Sequence, residues 1–218
     1  MKTIPSAHQA LQKQARIAGL WYLLLLLTAP IGLMYVPSQL IVRGDATATA
    51  DNLRASEGLF RIGLGSELVH QVIMIFLVLA LYRLFRSVDE LLAKQLVILG
   101  SLVATPIVFV NVLNELAALL LAQGPDYLLA FDAAQRDALS YFFLRLHGQG
   151  ITVVSVFWGL WLFPFARLIF RSGFIPKVFG YLLLIAGSTY LVSSFVTLVV
   201  PRWEPLIDRV MMPLTMTE

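Results

Sequence analysis

Glu67, His70 and Gln71 stand inside an apolar run, Phe60 to Phe85, that is long enough to cross a bilayer. At about 100° per residue, Gly63, Glu67, His70, Gln71 and Met74 share one helical face, so this helix has one wet side. An ionisable group at the bilayer centre costs roughly 2.5 to 3.5 kcal/mol on insertion scales, so such a face turns into a bundle or cavity. A later apolar run carries Asn111, Asn114 and Glu115, which share a face at i, i+3 and i+4 spacing. A further run opens with Arg145, His147 and Gln149.

These residues admit several chemistries. Glu67-x-x-His70 lets a carboxylate and an imidazole reach one ion, the pairing that di-iron helical bundles use twice. Adding Glu115 and His147 gives two carboxylates and two imidazoles, a ligand set for zinc or non-haem iron with room for a water. Water on such an ion has its pKa lowered toward ~7 and can hydrolyse an ester or amide. The competing reading is a buried polar network. In it Glu67 or Glu115 pairs with Arg145 or Arg61, and Asn111, Asn114, Gln71 and Gln149 satisfy the remaining donors and acceptors. A proton or cation relay through Glu67, His70 and Glu115 is a third reading, and haem between His70 and His147 a fourth. Arg145 and His147 lie about 200° apart on a helix, so they cannot both face the bundle centre. His8, near the terminus, is read as solvated.

The elements that must hold these groups are membrane helices. Of 218 residues, 59% are hydrophobic and 13% charged, with mean hydropathy +0.81, which places the chain outside the soluble range. The absence of cysteine excludes disulfides, thiolate metal sites and cysteine nucleophiles. No basic cluster with interleaved aromatics points to nucleic acid. Hydropathy predicts a single all-α domain of five spanning helices, about 17–36, 60–83, 92–122, 141–169 and 177–200. Pro30 predicts a kink in the first, and Trp21 and Tyr22 an interfacial belt. Asp45 caps a short surface helix in the first outer loop, and residues 123–140 form a second, with Asp126 as a candidate cap. Gly173 and Pro176 punctuate the last hairpin. Gly187, Tyr190, Ser194 and Thr197 form a packing face on the fifth helix.

Lys and Arg are retained on the cytoplasmic side. The predicted inner segments hold nine basic residues against Asp89 and Glu90, and the outer ones seven basic against nine acidic. This predicts a bacterial inner-membrane protein with its N-terminus inside and its C-terminus outside. The tail after Pro201 carries Arg202, Glu204, Asp208 and Arg209, too polar for a sixth span. Counted inward from the outer helix ends, Glu67, Glu115 and His147 reach a similar level in the outer half of the membrane.

Five segments together resemble a bacterial family of multi-spanning membrane proteins, domain of unknown function 4386. They are RIAGLWYLL at 16–24, ASEGLFRIG at 55–63, NVLNELAALLLAQGPDYL at 111–128, LRLHGQG at 144–150 and FWGLWLFPFARLIFRSGFIPKVFG at 157–180. The resemblance implies membrane location and transfers no catalytic residue. Ala166-Arg167, where similar sequences have a Gly-Tyr type pair, and His70 depart from the family pattern. The leading functional expectation is a membrane protein binding a lipid or small amphiphile at the polar cluster. A metal-dependent intramembrane hydrolase and an ion-coupled carrier or proton path are the alternatives. Membrane lipids are the expected partners, homo-oligomerisation is open, and no cofactor is assured, with zinc or iron as the candidates.

Overall fold

The computed structural model describes residues 7–203. Glu204, Asp208 and Arg209 of the tail and the side chain of His8 lie outside the described residues. The described chain is an all-α bundle: α1 (Ala7–Pro30), α2 (Val36–Leu40), α3 (Ala46–Ala55), α4 (Glu57–Phe85), α5 (Glu90–Val97), α6 (Ala104–Gln123), α7 (Ala133–Ser172) and α8 (Lys177–Val199). Two π-helical turns, Ile31–Tyr35 and Ile98–Val103, join α1 to α2 and α5 to α6. Five helical stretches are long and apolar enough to cross a membrane: Gln9–Leu40, Glu57–Phe85, Glu90–Gln123, Ala133–Ser172 and Lys177–Val199.

The kink predicted at Pro30 takes the form of the first π turn. Proline has no N–H for the preceding turn and its ring crowds that turn's carbonyl, so the helix widens just beyond it. The Val36 N–H then bonds to the Ile31 carbonyl, five residues back. Asp45 caps α3 as expected, accepting from the Ala48 N–H at 2.9 Å. The segment 123–140, predicted as a second surface helix, differs from expectation. Only Asp126–Leu128 forms a 3-10 turn, and α7 already begins at Ala133. Its cap is Asp132, whose carboxylate accepts from the Gln135 N–H at 2.8 Å while Gln135 accepts from the Asp132 N–H at 3.0 Å. That reciprocal capping box is legible as Asp-x-x-Gln and outweighs the apolar spacing around Tyr127. Gly173 ends α7 at φ +71°, and Pro176 is the N-cap of α8, which opens at Lys177 as predicted.

The chain forms two compact units. One contains Met1–Leu23, Ile73–Pro106 and Thr152–Glu218. Its described part is built on Phe85, Trp161, Leu162, Leu168, Leu77 and Val78, all essentially buried. Trp161 lies over Gly100, where a Cβ would stand 2.9 Å from its ring. Gly159 and Gly187 bring α7 and α8 to backbone contact, so the predicted small-residue face of the fifth span does serve packing. Trp21 stacks on Phe76 at 5.1 Å, so it is not only an interfacial anchor.

The other unit contains Leu24–Val72 and Ile107–Ile151. Its core gathers Val36 and Leu40 of α2, Leu53 of α3, Leu64 of α4, Leu119 of α6 and Leu144 of α7. Arg54 fastens α3 there: its guanidinium donates to Asp137 at 2.9 Å, to Asp51 at 2.7 Å and to the Ala122 carbonyl at 3.0 Å. The last of these occupies a carbonyl that the end of α6 leaves without a helical partner.

Candidate metal centre

Glu67, His70, Gln71, Asn111, Asn114, Glu115, Arg145, His147 and Gln149 all lie in the second unit. α4 supplies Glu67, α6 supplies Glu115 and α7 supplies His147, each on the face its helix turns inward. Glu67 and Glu115 are buried, and His147 is nearly so. His147 Nε2 stands 3.3 Å from Glu67 Oε1 and 3.7 Å from Glu115 Oε1. One ligand atom from each residue lies within 4.8 Å of the other two. Ligand bonds of ~2.0–2.1 Å in tetrahedral geometry put donor atoms about 3.3–3.4 Å apart. His147 and Glu67 already have that spacing, while separations of up to 4.8 Å within the group would have to draw in by about an ångström.

Both oxygens of Glu67 and Oε2 of Glu115 are buried without a hydrogen bond. The 3.3 Å approach of His147 is therefore an ion-pair distance whose alignment does not satisfy Glu67 Oε1. An unsatisfied buried carboxylate oxygen is costly, and a cation, a shared proton or a bound water removes the cost.

His147 is held from its other side. Asn111 Nδ2 donates to the His147 carbonyl at 2.9 Å and lies 3.2 Å from His147 Nδ1, while Asn114 Nδ2 donates to Asn111 Oδ1 at 3.0 Å. Two glycines that sequence reasoning passed over make this packing possible. A Cβ on Gly150 would stand 2.0 Å from Asn111 Oδ1, and one on Gly32, in the first π turn, 2.9 Å from Glu67 Cγ. The signal available was a helical glycine recurring close to a polar intramembrane residue, as in His147-Gly148-Gln149-Gly150.

The remaining candidates go elsewhere. His70 is not one of the three clustered ligands: its Nδ1 meets Thr28 Oγ1 at 3.1 Å, and Ser66 donates to the Thr28 carbonyl at 2.8 Å. The Glu67-x-x-His70 pair thus splits, because i+3 turns the imidazole toward α1 while the carboxylate turns toward α6 and α7. Arg145 is exposed and forms no salt bridge among the described residues, as the angular argument against His147 requires. Arg61 pairs with Glu57 at 2.6 Å, so neither arginine answers Glu67 or Glu115. Gln71 is buried and Gln149 half-buried, and neither is part of the three-residue cluster.

Fold and site together define an all-α, multi-spanning membrane protein with a buried Glu-Glu-His group able to hold a metal. The chain belongs to the family described as Domain of unknown function (DUF4386), whose pattern matches residues 17–218. No curated protein and no solved structure matches it.

Proposed function

We propose that the protein binds one divalent cation, zinc or iron, on Glu67, Glu115 and His147, and uses it on a lipid or small amphiphile drawn from the bilayer. The observation that carries this reading is the meeting of three donors from three helices within 4.8 Å, with three carboxylate oxygens lacking any hydrogen-bond donor. Two carboxylates and a neutral imidazole around a dication sum to zero charge, the state a low-dielectric site favours. Carboxylate and imidazole donors suit zinc and iron, and three protein ligands leave a position open, as catalytic zinc sites do. An ion held by Glu67, Glu115 and His147 would supply a water of lowered pKa, toward ~7, for hydrolysis of an ester or amide.

The proposed setting is a bacterial inner membrane with the N-terminus inside, the C-terminus outside and the cluster in the outer half of the bilayer. The basic residues flanking the α4–α5 and α7–α8 turns, Arg83, Arg86 and Lys94 against Asp89 and Glu90, and Arg167, Arg171 and Lys177 with no acid among them, support that orientation. Elemental analysis of protein purified without a polyhistidine tag tests the metal. About one zinc or iron per chain is expected, absent from Glu67→Gln and His147→Ala. Protein that stays metal-free after incubation with zinc and with ferrous iron overturns the reading. In that event, proton or cation flux in vesicles abolished by Glu67→Gln would identify an ion path, for which three buried titratable groups also suffice.

A further inference from the structure

We propose that Asn111 is the positioning residue of this site: its carboxamide holds the His147 ring so that Nε2 faces the two carboxylates. Only the affinity part of the test below rests on the metal reading. The orientation of the Asn111 amide is fixed by its neighbours. The His147 carbonyl can only accept, so the group 2.9 Å from it is the NH2, and Asn114 donates into the oxygen on the other side. That NH2 is also 3.2 Å from His147 Nδ1 and can donate to it when the ring proton sits on Nε2.

Gly150 completes the arrangement, because the carboxamide occupies the space a side chain there would fill. The same residue serves a metal-bound ring. The Asn111 backbone carbonyl is 3.4 Å from Nδ1 and accepts a proton there once an ion takes the Nε2 lone pair, the usual orientation of a ligating histidine. Asn111 thus faces Nδ1 with a donor from its side chain and an acceptor from its backbone, and either keeps Nε2 aimed at Glu67 and Glu115.

The chain has three histidines, so protein labelled with 15N in the imidazoles gives three ring systems. His8→Gln and His70→Gln assign them by elimination. In chelator-treated wild-type protein at neutral pH, His147 is expected with Nδ1 unprotonated and Nε2 protonated, and zinc is expected to move the proton to Nδ1. Asn111→Ala should replace the single tautomer by a mixture and weaken zinc binding about 10- to 100-fold. Gly150→Ala, which displaces the carboxamide without removing it, should give the same signature, and Asn114→Ala a weaker one. A protonated Nδ1 in metal-free wild-type protein, or an unchanged single tautomer in Asn111→Ala, overturns the proposal. Should wild-type protein bind no zinc, the metal reading fails while the metal-free spectra still decide the role of Asn111. Should Asn111→Ala not fold, the wild-type and Asn114→Ala spectra carry the decision.

Discussion

A carboxylate and an imidazole three residues apart have separate fates here, and substitution tells them apart. Thr28→Val removes the partner of His70 Nδ1. It should cost about 1 kcal/mol of stability, read as a lower melting temperature in detergent, and leave metal content unchanged. Loss of the metal in Thr28→Val would return His70 to the ligand set. Gly32→Ala tests the other side of Glu67. Its Cβ would press on Glu67 Cγ at 2.9 Å and on the Gly63 carbonyl at 3.1 Å, and a backbone atom cannot yield as a side chain can. The expected cost is about 1–3 kcal/mol, with weakened zinc binding because Glu67 must swing away. Unchanged affinity would show that Glu67 adapts freely and that the π turn does not shape the site.

At the scale of elements, α3 depends on one side chain. Breaking a buried ion pair costs roughly 3–5 kcal/mol, and with Arg54 38% exposed, Arg54→Ala should cost somewhat less, about 2–3 kcal/mol. The loss comes mainly from leaving the buried Asp137 without its cation. Protease cleavage within α3 should speed up in the variant before the rest of the chain melts, and an unchanged cleavage rate would assign α3 to its apolar contacts alone. The Asp137 carboxylate, with Asp51 second, holds the Arg54 guanidinium well above the usual arginine range against the effect of burial. A raised cationic pKa contributes stability in full below its unfolded value and loses it only as pH rises through the folded value. Alkaline titration should therefore leave this contact intact throughout the accessible range. Between α7 and α8 the dependence is on absence of bulk: Gly159→Val would drive methyls into the Gly187 backbone and should separate the two helices.

For the whole molecule, the proposed orientation puts Tyr127 outside the membrane and Ser87 inside, on either side of the candidate spans. The chain contains no cysteine, so single cysteines report accessibility against no background. Tyr127→Cys should react with an impermeant maleimide from outside intact cells, and Ser87→Cys only after the membrane is opened. The reverse pattern would invert the proposed orientation. Hydropathy located the spans because burial in lipid demands about twenty apolar residues whatever the helices pack against. The helices run on past the predicted spans, as α7 does from Ala133 to Ser172 through polar turns that hydropathy alone does not register as helix.

Composition and the 3.6-residue period were sufficient for the helical class, the number of crossings and the inward faces of Glu67, Asn111 and Glu115, because lipid leaves the backbone no other partner than itself. Periodicity gives an azimuth on one helix, however, and not which neighbour stands there. Only the tertiary arrangement decided that His147 and not Arg145 meets the carboxylates, that His70 turns to Thr28, and that Gly32 and Gly150 yield their space to Glu67 and Asn111. Each of these depends on how helices distant in sequence are rotated against one another, and that rotation is fixed by close packing summed over the bundle.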